Sequence, residues 1–166
     1  MSPYATIALL GLMAIVQSTW LARIDPSGVH PNLTLLSVIS WSFLRGSSEG
    51  MQWGFVGGLA LDMVSGAPLG LNTLLITLVG YLAGLGDATV FRSNIVLPIF
   101  IIGAITLGYF AAQFIVLQWL GRPFPLIEAS VRVALPTLLL NLLASPLVFR
   151  ALRWLSHHTG FETLRW

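Results

Sequence analysis

Apolar residues fall into six stretches along the chain, divided by short clusters of Gly, Pro and charged residues. A helix that crosses a bilayer needs about 20 apolar residues. Tyr4–Ala22 meets that length and stops at Arg23. A turn-rich break, with Asp25-Pro26-Ser27-Gly28 and His30-Pro31, separates it from Leu33–Leu44. That second stretch is short, about 18 Å as a helix. The polar run Arg45–Gly50 follows, then a Gly-rich apolar stretch, Met51–Val64, and a turn at Ser65–Pro68. Leu69–Leu85 is the fourth span, closed by Gly86-Asp87. Ser93–Leu120 is the fifth, with Pro98 in its first turns, where proline is tolerated. Gly121–Pro125 interrupts the pattern, and Leu126–Phe149 is the sixth span, with kinks expected at Pro136 and Pro146.

The second and third stretches are individually short, so they are either two tilted helices in a thin membrane or a re-entrant pair. Both versions leave the two termini on one side. Short or irregular backbone at membrane depth needs protein neighbours, which predicts that these segments are the most enclosed part of the bundle. In the six-span arrangement the terminal side carries Arg45, Arg92, Arg150, Arg153 and Arg165, against Arg23, Arg122 and Arg132 on the other. The excess of positive charge predicts that both termini are cytoplasmic. Residues 150–166 read as a cytoplasmic interfacial tail: Arg150, Arg153 and His157 share a helical face, and Trp154, Phe161 and Trp166 suit the headgroup layer.

Composition turns these spans into a class. The chain has 166 residues, 56% hydrophobic and only 8% charged, with a mean hydropathy of +0.87. Soluble domains carry roughly 25% charged residues, so this chain could not cover a globular surface with polar groups. The prediction is an all-α polytopic membrane protein, about six transmembrane helices in a compact bundle, forming a single integral membrane domain over residues 1–166. The net charge is +2, carried by arginine without any lysine. The arginines are scattered along the chain, which excludes a nucleic-acid-binding patch. Cysteine is absent, excluding disulfides and thiolate metal sites. The first apolar stretch lacks a basic leader and a small-residue cleavage site, and reads as a retained helix.

Candidate chemistry concentrates in the third stretch and the turn after it. Gly54, Gly58, Asp62, Gly66 and Gly70 recur every fourth residue, and residues four apart are neighbours on a helix. Glycines on one face let another helix approach closely in lipid, and a carboxylate there normally faces a partner or a wet cavity. Gly80 and Gly84 repeat the spacing on the fourth span. These seven residues are the expected partner-interface or packing surface. Asp62 has two readings: recognition of a partner, cation or proton, or an interfacial carboxylate that caps the next helix across the Ser65–Pro68 turn or simply reaches water. The amides of Gln17, Asn72, Gln113, Gln118 and Asn141 read as hydrogen-bonding glue between helices, and Glu128–Arg132 as a local helix pair.

Enzyme chemistry finds no support in the pattern. His30, His157 and His158 fall outside the spans, so no Ser–His pair forms at depth. The six acidic residues are dispersed, with no two within four positions of each other, which denies a metal its converging carboxylates. No nucleotide fingerprint is present. No catalytic residue, cofactor or metal is expected.

The run from Gly54 through Asp62, Gly66 and Gly70 to Leu74, continuing into Gly80-Tyr81-Leu-Ala-Gly84, resembles the bacterial rod shape-determining protein MreD family. The resemblance is specific over roughly residues 41–84. It implies a non-catalytic multi-pass subunit in the bacterial cytoplasmic (inner) membrane, embedded in lipid. Such a subunit would bind MreC and help organise the glycosyltransferase and penicillin-binding transpeptidase of cell elongation. The family also looks similar in fold to the substrate-binding membrane subunits of energy-coupling-factor vitamin transporters. That likeness implies the alternative, a small-molecule-binding subunit, for which Trp41, Trp53, Asp62 and Asn72 would line the pocket.

Overall fold

The computed structural model describes residues 3–21, 29–65, 68–86, 96–121 and 130–158, and the regular structure among them is helical. α1 (Pro3–Ile15) runs on as a wider π-helical stretch, Val16–Leu21. α2 covers Leu33–Arg45, α3 Ser47–Val64 and α4 Leu71–Gly84. α5 covers Val96–Trp119, and α6 covers Leu135–His158 after a π-helical lead-in at Ser130–Ala134. Among the described residues two helices are long and apolar enough to cross a membrane, over Ile99–Trp119 and Val131–Ser156, with mean hydropathies of 2.1 and 1.7. Their outward faces carry bare apolar side chains such as Phe100, Ile115, Leu143 and Leu147. A soluble surface rarely tolerates such a continuous patch.

α2 is the axle of the bundle. It packs against all five other helices, and every residue from Thr34 to Phe43 is buried. Its serines suit that position, because small side chains let neighbours close in. Ser37 Oγ and Ser42 Oγ donate to the carbonyls one turn back, Leu33 O at 2.7 Å and Val38 O at 2.6 Å, so these hydroxyls are not stranded in an apolar interior. Asn32 caps the helix start by accepting from Leu35 N at 3.0 Å.

The polar run at 45–50, expected as a break, contains a single non-helical residue, Gly46. Its φ of +90° lies where a side chain is strained. α3 therefore starts at Ser47, four residues before the apolar pattern does. Glu49 belongs to its first turn, where a carboxylate complements the helix dipole. It also accepts from Trp41 Nε1 at 2.9 Å. Hydropathy misplaced this boundary because Ser and Glu are polar yet helix-compatible. α3 folds back along α2, with Gly57 set against Thr34 and Val38. At the other end of the chain α6 continues through Pro146 to His158 and so takes in the first part of the tail.

Candidate functional site

Asp62 stands in the last turn of α3 and is 2% exposed. Its carboxylate accepts four hydrogen bonds, all from the start of α4. Oδ1 takes Asn72 N at 3.0 Å. Oδ2 takes Gly70 N at 2.9 Å, Thr73 N at 3.0 Å and Thr73 Oγ1 at 2.6 Å. The first N–H groups of a helix have no intrahelical acceptor. Gly70 occupies the cap position of α4 in a left-handed conformation, φ +94°, and has no side chain to serve them. Asp62 reaches across the turn and does so, with its negative charge at the positive end of the helix dipole. Of the two readings of this residue, the geometry is that of the cap.

The glycines form the seam between α3 and α4, and it runs backbone to backbone. A Cβ on Gly54 would stand 2.5 Å from Ile76 O and 2.7 Å from Thr77 Cα. On Gly58 it would stand 2.5 Å from Thr73 Cα. From the other side, Gly80 meets the backbone of Gly50, and Gly84 meets that of Ser47. The structure thus brings together Gly54, Gly58, Gly80 and Gly84 in the seam, and Asp62 and Gly70 at its capped end. Gly66 lies outside the described residues. Gly50 completes the four-residue spacing ahead of Gly54, a signal masked in the sequence by its place in a polar run.

One end of the bundle gathers polar side chains from five helices. Gln17 Nε2 donates to Asn32 Oδ1 at 3.2 Å, and Gln17 Oε1 accepts from Thr34 N at 3.2 Å. Asn141 Oδ1 accepts from Asn32 N at 2.7 Å. Tyr109 donates its hydroxyl to Asn72 Oδ1 at 2.6 Å. These are the interhelical bonds expected of Gln17, Asn72 and Asn141; Gln118 is exposed and Glu128 lies outside the described residues. Among the groups is a cavity of about 210 Å³, whose lining includes His30, Ser65, Gln113 and Thr137 beside Leu61 and Phe110. The sequence pattern did not mark Tyr109, His30 or Thr137, which stand far apart in the chain. Trp41 and Trp53, expected as pocket walls beside Asp62 and Asn72, stack on each other with ring centres 4.2 Å apart, and neither lines this cavity. Asp62 does not line it either.

A second, apolar groove of about 380 Å³ lies between α4 and α5. Leu75, Leu78 and Leu82 form one wall, and Ala104, Gly108 and Ala112 form the other. The α5 residues repeat the four-residue spacing of small side chains. Unlike those of the seam, Gly108 has no atom within 4 Å of where its Cβ would be.

Among the described residues no group of three or more His, Asp or Glu side chains is placed to hold a metal. The model of the family described as rod shape-determining protein MreD matches residues 2–156. No curated protein and no solved structure matches the chain.

Proposed function

This chain belongs to the rod shape-determining protein MreD family, and on that premise we propose that it joins the cell-elongation complex by docking the membrane helix of MreC. The family is one of membrane proteins that determine rod shape without catalysing a reaction. In the proposed role the chain sits in the cytoplasmic membrane with both termini inside. It holds MreC near the glycosyltransferase and transpeptidase that build the lateral wall.

Two sets of small residues compete for the contact. The seam of Gly54, Gly58, Gly80 and Gly84 is closed by the chain's own backbone. We assign it to packing, where it makes α3 and α4 one rigid unit. The open stripe of Ala104, Gly108 and Ala112 carries the reading, since it offers a foreign helix the close approach that drives association in lipid.

Gly108→Leu tests the assignment cleanly, because the side chain enters open space and leaves the fold intact. Co-purification with MreC from membranes is expected to fall about tenfold, a change of about 1.4 kcal/mol, with the melting temperature not lowered, since leaving glycine raises helix propensity. Gly11→Leu, at another open glycine on α1, is the matched control and is expected to keep full yield. Undiminished complex with Gly108→Leu would remove the groove from the interface.

A further inference from the structure

The last turns of α6 are held against the bundle and turn a basic face outward. Leu152 is 3% exposed and belongs to the main core, with Val148, Phe149 and Leu155 packed beside it. Arg45, at the end of α2, donates from Nη2 to Ser156 O at 3.1 Å. A cation there meets the negative end of the α6 dipole and serves a carbonyl that the helix leaves without a donor. This end of the helix is therefore fixed in height and in rotation.

With Leu152 inward, Arg150, Arg153 and Trp154 lie on the opposite face, and all three are exposed. Residues three and four apart are neighbours on a helix, so Arg150 stands beside both Arg153 and Trp154. α6 contains no Asp or Glu, and among the described residues neither guanidinium has an acidic partner. Charge at this end stays positive when the whole sequence is counted. The segments connected here, 45–50, 86–95 and 150–166, hold five Arg against three acids.

Depth narrows what such a face can meet. The apolar span over Val131–Ser156 carries both arginines in its last two turns, where hydrocarbon gives way to headgroups. Tryptophan favours that same level. Arginine presents a planar fork that bonds a phosphate through two N–H groups. Two forks side by side at headgroup level match a lipid phosphate. They favour a lipid of net negative charge, because a zwitterionic headgroup brings its own cation to the arginines.

We propose that Arg150 and Arg153 together bind the phosphate of an anionic phospholipid in the leaflet at this end of the bundle. The site rests on the membrane placement of α6 and not on the contact with MreC.

The test uses the full chain in vesicles of equal phosphatidylglycerol and phosphatidylcholine. The protein is extracted in dodecyl maltoside, and the lipid retained per protein is measured by mass spectrometry. Phosphatidylglycerol is expected to exceed phosphatidylcholine about tenfold. Arg150→Gln and Arg153→Gln are each expected to lower that preference about fivefold, the equivalent of about 1 kcal/mol per arginine. The double variant is expected to abolish it, with the melting temperature in phosphatidylcholine alone unchanged. Arg132→Gln, at an exposed arginine in the lead-in to the same helix, is the control and is expected to keep the full preference. Washing with millimolar inorganic phosphate is expected to leave the retained lipid in place. Four results would overturn the proposal: equal retention of the two lipids, a preference undiminished in the double variant, an equal loss in Arg132→Gln, or release of the lipid by phosphate. The last would make this a site for soluble anions.

Discussion

At the scale of single residues, the capping of α4 explains how this chain keeps an aspartate out of contact with solvent. A carboxylate offers about four acceptor positions, and Asp62 fills four with donors from one helix start. Three are backbone N–H groups that would otherwise be orphaned, so acid and helix solve each other's problem. Asp62→Asn turns one acceptor into a donor facing N–H groups, whichever way the amide is flipped. It is expected to destabilise the fold by about 1–3 kcal/mol, read as a lower midpoint in denaturant. The yield of MreC complex per folded molecule is expected to stay constant. A variant of full stability that no longer bound MreC would return Asp62 to the partner interface.

At the scale of elements, two glycine-containing faces with the same spacing meet different fates. On α3 and α4 the missing side chains allow main chains to touch. On α5 the corresponding face is open. Gly58→Ala places a methyl group 2.5 Å from Thr73 Cα, and backbone cannot swing aside as a side chain can. Separating the two helices is expected to cost about 1–3 kcal/mol. Gly108→Ala meets nothing and gains up to about 1 kcal/mol of helix propensity. The pair is compared by thermal unfolding in the same lipid: equal melting temperatures would show that the α3–α4 seam is not as tight as described.

At the scale of the whole molecule, a short helix sits at the centre and longer ones stand outside it. α2 is roughly 20 Å long, too short to span a membrane of ordinary thickness upright, yet it touches every other helix. Protein neighbours replace the lipid contact that its length would make poor. The last amides to exchange with solvent are expected to be those of α2, since opening them requires parting the bundle. Hydrogen exchange read by mass spectrometry checks this, and faster exchange in α2 than in α5 would contradict its central place.

Much of this was legible in the amino-acid order. Six apolar stretches located six helices, because lipid hydropathy and internal backbone hydrogen bonding are properties of each segment alone. The four-residue spacing of Gly54, Gly58 and Asp62 declared one face of close approach, and the short second stretch declared a need for protein neighbours. Boundaries were read less well at Arg45–Gly50, where polar residues continue a helix that only Gly46 interrupts. Tertiary structure alone decided which surface each face meets. Small side chains specify closeness without specifying a partner, so Gly58 and Gly108 look alike along the chain and differ only in what stands opposite. The same holds for the cavity: Gln17, His30, Ser65, Gln113 and Thr137 belong to separate parts of the chain, and no local periodicity links them. Their convergence depends on the order in which the helices pack around α2, which is a property of the assembled bundle.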